Sequence, residues 1–349
     1  MNKNVRNSLL VGALGISGLI GAQDIHFSQF DQNPTFLNPA LTCLTADFRG
    51  TLNYKDQWGS ISGSSAAFRT YAFTGELAVF KKRGKGAYMG VGLSAFSDKA
   101  GDIGMANQQV RLSVSGIVPI DESNIISAGL QGGFGQMSFD QGKMKWGSQY
   151  DGTSWNPNFG TVETPNAAQS NYGDFSLGVH WAYGKDQMYI SANDNLKFNA
   201  GFAMYHLNSP KLSFYTENPD KLFSKYVFHA GCTIGIKNTN IQLVPGIMYL
   251  AQGPSSELNF GTLIKYILKE DSKYTGFVKG AAVGVGVFVR AKDAIILQSL
   301  LEFGNYGLGV SYDINTSDLR AATNARGGLE IMLRYRSPNP FLYQSRAQF

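Results

Sequence analysis

Residues 306–314 read Y-G-L-G-V-S-Y-D-I, and this stretch decides how the rest of the chain is interpreted. Large apolar side chains occupy every second position, and glycine, serine and aspartate occupy the positions between them. Residues two apart lie on the same face of a β-strand, so the spacing predicts a strand with one apolar and one polar face. Residues 329–336 repeat the pattern. A soluble β-sandwich strand also alternates, so the fold depends on how far the alternation extends.

Alternating stretches bounded by turn residues continue through almost the whole chain. They predict about fourteen strands, and no stretch beyond the first twenty-two residues has helical spacing. The expected strands lie near residues 46–57, 66–80, 86–97, 106–118, 124–139, 172–184, 197–208, 225–237, 240–250, 257–268, 275–290, 293–303, 305–315 and 326–336. Residues 186–195 are read as either a broken strand or a loop. The last strand is expected to pair with the first and close the sheet.

The lengths of the connections divide by strand parity. The longest ones, residues 140–171 and 209–224, follow odd-numbered strands, whereas short charged connections such as 81–85 and 237–240 follow even-numbered ones. Short turns at one rim and long loops at the other are typical of outer-membrane barrels. A soluble sandwich has no reason to separate its loops in this way.

The two faces of the strands point to two different solvents. Phe175, Leu177 and Val179 face one way, and Ser176 and His180 the other. Aromatic residues recur near strand ends, as an aromatic girdle at each lipid interface requires. They are Tyr54, Trp58, Trp181, Tyr183, Tyr249 and Tyr266. Because no strand edge can remain unpaired in lipid, the sequence predicts a closed, all-β transmembrane barrel in the outer membrane.

The chain begins with the three parts of a cleavable signal peptide. Within residues 1–22, Lys3 and Arg6 precede an apolar run at 9–20, and Gly21-Ala22 form a small-residue cleavage site. The chain of 349 residues is 16% charged and its basic residues are dispersed, which argues against nucleic-acid binding. Export to the outer membrane is therefore expected.

The chain divides into four expected parts. After the signal peptide at 1–22, residues 23–45 form a non-strand segment, either periplasmic or lumenal, with turn signals at Asn33-Pro34 and Asn38-Pro39. Residues 46–337 form the transmembrane barrel. Residues 338–349 form a periplasmic tail, because Pro338 and Pro340 stop the last strand.

Catalytic and metal sites are not predicted. Nucleophile-elbow and phosphate-binding motifs are absent from the sequence, and the four histidines have no metal-ligand spacing. His180 and His229 are expected to be satisfied lumen residues, whereas His26 and His206 carry no further signal. Cys43 and Cys232 allow one disulfide but give it little support. No cofactor is expected, and the protein is predicted not to be an enzyme.

Charged residues and glycines are expected on the lumenal face. Glu76, Glu302 and Glu330 should point inward and form a charge network with arginines. The arginine candidates are Arg69, Arg111, Arg290 and Arg334. Inward glycines would leave space in the lumen or permit bending. They are Gly90, Gly92, Gly284, Gly286, Gly307 and Gly309.

Two aromatic groups are candidates for binding a partner or closing the barrel. The long loop at 140–171 carries Trp146, Tyr150, Trp155 and Phe159 among glycine, asparagine and proline. Exposed aromatics can anchor a protein partner, but a loop can also fold into the lumen as a plug. Phe27 and Phe30 could make the corresponding contacts from the N-terminal segment.

Several blocks of sequence resemble the PorP/SprF family. The opening residues 24–30 and 33–40, the block N-Y-K-D-Q-W at 53–58, and S-Y-D-I-N-T-S at 311–317 carry the resemblance, supported by blocks at 92–101 and 205–208. The matching residues are Asp24, His26, Phe27, Ser28, Gln29, Phe30, Asn33, Pro34, Asn38, Pro39, Asn53, Tyr54, Gln57, Trp58, Tyr312, Asp313, Asn315 and Thr316.

The resemblance implies an outer-membrane barrel associated with the type IX secretion and gliding machinery of the Bacteroidetes. Its implied partners are membrane lipid, other secretion or gliding components, and a secreted surface adhesin. The barrel would assist the adhesin's export or hold its C-terminal domain at the cell surface. A passive porin or solute transporter is the alternative, and an outer-membrane hydrolase is a further one for which no nucleophile and base can be placed.

Overall fold

The computed structural model describes residues 24–59, 67–81, 86–161, 165–185, 193, 195–212, 214, 220–270, 279–318 and 320–337. The expected signal peptide at 1–22 and tail at 338–349 lie outside the described residues. So does most of the stretch 186–195, for which a broken strand or a loop was expected.

Sixteen strands are found among the described residues, and fourteen of them form one closed barrel. The strands are β1 (Phe48–Gln57), β2 (Phe68–Val79), β3 (Tyr88–Ala100), β4 (Met105–Pro119), β5 (Asn124–Ser138), β6 (Gln169–Lys185), β7 (Leu196–Tyr205), β8 (Lys211–Leu212), β9 (Asp220–Lys221), β10 (Lys225–Gly235), β11 (Ile241–Gln252), β12 (Ser255–Lys269), β13 (Ala281–Arg290), β14 (Ala294–Phe303), β15 (Tyr306–Asn315) and β16 (Arg326–Ser337). The predicted all-β barrel is confirmed.

Each barrel strand pairs antiparallel with its neighbour in the chain, and β1 pairs with β16 to close the sheet. The register at the closure places Leu52 opposite Leu333 and Tyr54 opposite Ile331, so the predicted pairing of the last strand with the first is confirmed. In a fully closed sheet every strand has two neighbours, which removes the free edges that hydrocarbon cannot solvate.

One predicted strand ends too late. Residues 197–208 were expected to be a strand, but β7 ends at Tyr205 because His206 adopts a left-handed backbone with φ of 56°. The chain then leaves the barrel wall and forms the small hairpin β8–β9, which alternation did not predict because each of its strands has only two residues.

The barrel wall has an apolar outer face and a polar inner face. On β6, Phe175 is 58% exposed and Val179 is 51% exposed, whereas the neighbouring Ser176 and His180 are buried. Large apolar side chains that stay exposed at every second position are stable only where the surrounding medium is apolar. The outer face is therefore the lipid-facing surface that the sequence predicted.

The two rims differ in the length of their connections. The connections 139–168 and 206–224 lie at one rim, called here the long-loop rim, and the opposite rim is called the short-turn rim. Strands β4 and β5 have 15 residues and β6 has 17, against 10 for β1. Near the long-loop rim, the outward residues of these longer strands change from Val110 and Phe134 to Gln108 and Gln136. At the long-loop rim, the ends of β4–β6 therefore extend beyond the lipid-facing apolar band.

Helical structure in the described residues is limited to single turns. They are Phe30–Gln32, Pro34–Leu37, Pro39–Leu41, Gln141–Lys143, Gly147–Gln149 and Arg320–Thr323. No helix in the described part of the chain has the length and apolar character needed to cross a membrane.

A charge placed on the lipid face tests this assignment. Val285 is 68% exposed in the middle of β13, so Val285→Arg is expected to lower the free energy of unfolding by about 2–4 kcal/mol, because the guanidinium must enter hydrocarbon. Urea unfolding of the barrel in lipid vesicles measures the change. Val285→Leu is the matched control and should unfold like the unchanged protein. Equal stability of the two variants would show that Val285 does not face hydrocarbon.

Candidate functional site

Residues 24–47, called here the lumenal segment, pass through the inside of the barrel from one rim to the other. At the long-loop rim the backbone N–H of Asp24 donates to Oε1 of Gln252 at 2.9 Å. At the short-turn rim Lys81 forms an ion pair with Asp47. Between these ends most side chains are buried, although Asp31 and Thr45 are exposed. The segment therefore occupies the lumen along its whole length.

Prolines and asparagines give the segment its compact turns. Pro34 and Pro39 each begin a short helical turn, where the missing N–H is not needed and the fixed φ suits the helix. The side-chain oxygen of Asn38 accepts the N–H of Ala40 at 2.9 Å and caps the second turn. These are the Asn-Pro pairs that the sequence marked as turn signals.

An apolar core lies inside the barrel between the segment and the inner wall. Phe30 packs edge-to-face against Phe288 of β13, with ring centroids 5.8 Å apart. The same cluster includes Leu37 and Leu41 from the segment, and Ile296 and Met332 from β14 and β16. Removal of these side chains from water stabilises the segment in the lumen.

Three inward glycines form a cradle for Asn38 and Pro39. A Cβ atom at Gly178 would lie 1.9 Å from Oδ1 of Asn38, and one at Gly129 would lie 2.4 Å from the carbonyl carbon of Pro39. A Cβ at Gly201 would approach Nδ2 of Asn38 to 2.8 Å. Since real Cβ atoms do not come this close to other heavy atoms, these positions admit the segment only because they are glycine.

The Asn38 amide also contacts the barrel wall and a lumenal histidine. Its Nδ2 donates to the backbone oxygens of Val179 and Phe202 at 3.0 and 3.2 Å, and it lies 3.1 Å from Nε2 of His229. Oδ1 already accepts the N–H of Ala40, so Nδ2 is the donor here, and its two hydrogens are shared among the two backbone oxygens and Nε2 of His229. His180 stacks on His229 with centroids 5.3 Å apart. His229 is thus a satisfied lumen residue, as expected, whereas Nδ1 of His180 has no hydrogen-bond partner in the described structure.

A second set of contacts joins the segment to β16 and β15. The backbone N–H groups of Ser28 and Gln29 donate to the two carboxylate oxygens of Glu330, at 2.7 and 3.2 Å. The Ser28 hydroxyl donates to Asp313 at 2.8 Å and accepts from Arg290 at 2.9 Å. The opening block and the S-Y-D block, almost three hundred positions apart in sequence, therefore meet in the lumen.

A third set holds the first described residue at the long-loop rim. Asp24 lies 2.6 Å from Nε2 of His206 and 3.6 Å from Nζ of Lys225, while Nδ1 of His206 lies 2.8 Å from Asp174. Both ring nitrogens of His206 thus face a carboxylate, and an imidazolium can donate to both. No local sequence pattern indicated this role of His206, because its partners come from distant parts of the chain.

Opposite charges shift the pKa values of these groups. Burial alone would raise the pKa of Asp24, but the charges of His206 and Lys225 outweigh burial and hold the pKa well below its usual range. Burial alone would lower the pKa of His206, but the carboxylates of Asp24 and Asp174 outweigh it and raise the pKa above the ordinary value of 6.5. Each group therefore stabilises the charged form of the other.

The lumenal charges pair differently from the expected pairs. Among the arginine candidates, Arg334 pairs with Glu302 as predicted. Glu76 instead contacts Arg49, with 3.7 Å between Oε1 and Nε, and also accepts the N–H of Cys43 at 2.7 Å. The prediction that Arg69 lies in the lumen is wrong. Arg69 is exposed and contacts Asp56, because the neighbouring Thr70 takes the inward position on β2.

The remaining lumenal candidates find other partners. Glu330 binds backbone N–H groups rather than an arginine, and Arg290 pairs with Asp313, Asp293 and Glu257. Arg111 contacts Asp174 and Gln109. Among the inward glycines, Gly90, Gly92 and Gly309 face the lumenal segment, whereas Gly284 and Gly286 face Leu263 and Gly307 faces Arg334.

The loop aromatics lie away from the lumenal core. Tyr150 is 58% exposed, Phe159 44% and Trp155 37%, and Trp146 is half-buried. Nε1 of Trp155 donates to Gln149 within the same loop at 3.0 Å. Phe27 and Phe30 are instead buried in the lumen. The structure thus separates the two aromatic groups, and a role of either group in partner binding stays a prediction.

The family-motif residues fall into three places. Those of the lumenal segment and its wall contacts are Asp24, His26, Phe27, Ser28, Gln29, Phe30, Asn33, Pro34, Asn38, Pro39, Asn53 and Asp313. Tyr54 and Tyr312 lie on the outer face, and Gln57 and Trp58 lie at the long-loop rim. Asn315 donates to the backbone oxygen of Arg326 at 3.0 Å, and Thr316 N–H donates to that of Asp293 at 2.8 Å, so both order rim loops.

Chemistry-bearing side chains do not converge elsewhere in the described structure. Three or more histidine, cysteine, aspartate or glutamate side chains placed to hold a metal ion are not found within the described ranges. Cys43 and Cys232 are both free thiols; Cys43 is buried in the lumenal segment, and Cys232 lies on the outer face opposite Phe198. The most elaborated feature of the molecule is the lumenal segment and its contacts.

Filling the glycine cradle should displace the lumenal segment. Gly178→Ala places a Cβ where Asn38 Oδ1 now lies, so the segment must shift and the buried Cys43 should become reactive. In a Cys232→Ser background, the rate of Cys43 labelling by a maleimide is expected to rise by roughly tenfold or more. Destabilising the closed position of the segment by about 1.4 kcal/mol raises the population of the open, reactive form tenfold.

Gly173→Ala on the same strand is the matched control, because a Cβ there meets nothing within 4 Å. It should leave the labelling rate unchanged. If Gly178→Ala labels no faster than Gly173→Ala, the cradle does not hold the segment.

The His206 ion pair should make stability depend on pH. Because the pKa of His206 is raised in the folded protein, its contribution is fully present below the ordinary value of 6.5 and is lost as the pH rises through the raised pKa. The melting temperature in detergent is therefore expected to fall as the pH rises from 6.5 through the raised pKa of His206. His206→Asn should be less stable at low pH and should lack this decline. A decline of equal size in His206→Asn would assign the effect to another group.

Known proteins resemble this chain to very different degrees. A search of curated proteins found no match. Among solved structures, a TodX monoaromatic hydrocarbon channel deletion mutant aligns with TM-score 0.45 and 11% identity over 88% of this chain and 94% of its own. CdiB from Acinetobacter baumannii aligns with TM-score 0.42 and 7% identity over 83% and 60%. The KdgM porin aligns with TM-score 0.33 and 6% identity over 82% and 99%.

Alignments as weak as these support no argument about this chain. A family description is more specific: the sequence pattern of the type IX secretion system membrane protein PorP/SprF matches residues 20–335, which include the lumenal segment and all but the last two residues of β16. The chain belongs to the PorP/SprF family of type IX secretion system membrane proteins.

Proposed function

We propose that this outer-membrane barrel is a non-enzymatic binding protein of the type IX secretion and gliding machinery. It assists the export of a partner adhesin, or anchors it at the cell surface, by binding its C-terminal domain. The observation that carries the proposal is that the barrel's own N-terminal segment fills the lumen and is tied to the wall near both rims. A barrel filled in this way presents its rim and loops for binding.

The filled lumen disfavours the alternative of a passive porin. Transport of a solute would require the contacts of Ser28, Asn38 and Asp24 to break, together with the apolar cluster around Phe30. Buried hydrogen bonds to charged groups each contribute about 1.5–3 kcal/mol, so several of them resist opening together. A closed lumen is compatible with a binding protein, but it does not allow a solute to diffuse through the barrel.

The long-loop rim is the better candidate for the adhesin. In outer-membrane barrels the long loops face the exterior, where a surface protein must be held. Loop 139–168 presents Tyr150, Trp155 and Phe159 there with substantial exposure. Aromatic side chains of this kind contribute strongly to protein interfaces because they bury large areas with little loss of conformational entropy.

Deletion and crosslinking test the proposal. Cells lacking this protein should fail to display the adhesin, because nothing would hold its C-terminal domain at the surface. A photo-crosslinking residue in place of Trp155 should capture a secreted protein in intact cells, and the captured protein is identified by mass spectrometry. The same residue in place of Phe228, which is 51% exposed on the lipid face, is the matched control and should capture none.

Normal surface display after deletion would contradict the adhesin role. Ion conductance of the purified barrel in planar bilayers, at the level of an open pore, would favour the porin alternative.

A further inference from the structure

A cavity of about 320 Å³ opens at the long-loop rim, between the start of the lumenal segment and the ends of β1–β5. This volume lies at the lower end of the roughly 300–1,000 Å³ range of ligand pockets. Apolar side chains line part of it, among them Phe68, Met105 and Met137. The cavity is separate from loop 139–168, on which the proposed function relies.

The cavity is closed from below. Asp24, Ile25 and His26 form its floor, and beneath them Phe27 and Phe36 pack edge-to-face at 5.5 Å. Phe36 in turn packs against Phe96 of the wall at 6.1 Å. A polypeptide that enters from the rim cannot pass through this layer. The cavity therefore suits the end of a chain better than the middle of one.

One charged group in the cavity has no counter-charge at contact distance. Lys55 is 4% exposed, and its ammonium donates to the backbone oxygen of His26 at 3.0 Å. Lys55 forms no ion pair within the described ranges; Asp98, which also lines the cavity, and Glu330 act on its charge only from a longer distance. Burial of an ammonium without a paired anion is unfavourable, so the site is suited to receive a carboxylate.

Two further polar atoms in the cavity wall are buried and unpartnered within the described structure. They are Nε1 of Trp58 and Nε2 of His26. The indole N–H can only donate, so it adds a second donor to the side chains that line the cavity. Trp58 also adopts a left-handed backbone with φ of 65°, an arrangement that costs energy and is often found at binding sites. Lys55 and Trp58 together offer an oxyanion a charge and a hydrogen bond.

We propose that this cavity binds the carboxyl terminus of a partner polypeptide, with the terminal carboxylate on Lys55 and Trp58. The last side chain, which is apolar, packs among Phe68, Met105 and Met137. The two methionines adapt to differently shaped side chains, so the site selects for a chain end and an apolar character rather than for one residue. The assignment rests on the proposed function, because it names which part of a secreted partner reaches the barrel.

Synthetic peptides test the assignment on the purified full-length protein in detergent. The probes are acetyl-Gly-Gly-Leu with a free carboxylate, the same peptide as its amide, and acetyl-Gly-Glu-Leu-amide, which carries its carboxylate on a side chain. Isothermal titration calorimetry is expected to show the free acid binding roughly tenfold or more tighter than both amides, because a charge-assisted hydrogen bond is lost in each.

Two lysine variants separate the site from general electrostatic attraction. Lys55→Met is expected to abolish the preference for the free acid, and it should fold, because it removes a buried ammonium. Lys143→Met is the matched control on the exposed loop and should bind like the unchanged protein. Trp58→Phe should weaken binding of the free-acid peptide but not binding of the amides. Unchanged melting temperatures confirm that each variant is folded.

Three outcomes would overturn the assignment. They are equal binding of acid and amide, equal binding of the side-chain carboxylate, and a preference that survives Lys55→Met. Failure of the peptides while deletion still removes the adhesin from the surface would reject the cavity and leave the proposed function standing. If the peptides fail to bind and deletion also leaves the adhesin on the surface, the proposed function is rejected as well.

Discussion

Hydrocarbon cannot hydrogen-bond to a polypeptide backbone, and every other feature of this protein depends on that constraint. The pairing of β1 with β16 satisfies the last unpaired strand edges and turns an antiparallel meander into a closed wall. Closure fixes which side chains meet lipid and which meet the interior. It also creates an interior large enough to need filling, because the inner face carries many small and polar residues.

The lumenal segment fills that interior with two kinds of contact. Phe30 and Leu37 pack against wall residues such as Phe288, as in the core of a soluble protein. Toward the rims, charged and amide side chains take over, with Asp24 at one end and Asp47 at the other. Apolar contacts thus supply much of the attraction, while the hydrogen bonds fix the register. A segment displaced by one residue would bring Asn38 against a wall without its glycine cradle.

Alternation in the sequence was sufficient to predict the strands of the barrel wall, but not the contacts inside the lumen. Period-two spacing fixes strand positions and faces, because a strand's parity is local, and the predicted strands agree with the observed ones at nearly every position. Lumenal contacts depend on which strands lie opposite one another across the barrel, and no single stretch carries that information. Glu76 was therefore placed inward correctly, but its contact with Arg49 was not anticipated.

Local backbone conformation limited the prediction in other places. Residues 206–208 were predicted to continue β7, because the sequence alone does not reveal the positive φ of His206. Arg69 was assigned to the wrong face near the end of β2. For the N-terminal segment the sequence allowed a periplasmic or a lumenal position, since Asn-Pro turns and scattered phenylalanines suit either. Inward glycines were the available signal: several of them mark the path of the segment along the wall.

The threaded path of the segment also constrains how the protein is assembled. Residues 24–47 continue directly into β1, so the segment cannot enter a finished barrel without drawing one of its ends through the lumen. It contacts both strands of the seam, through Asn33 to Asn53 of β1 and through Ser28 to Glu330 of β16. The segment is therefore placed to act as an internal template. The wall would curl around it, and the first and last strands would join only once it is in position.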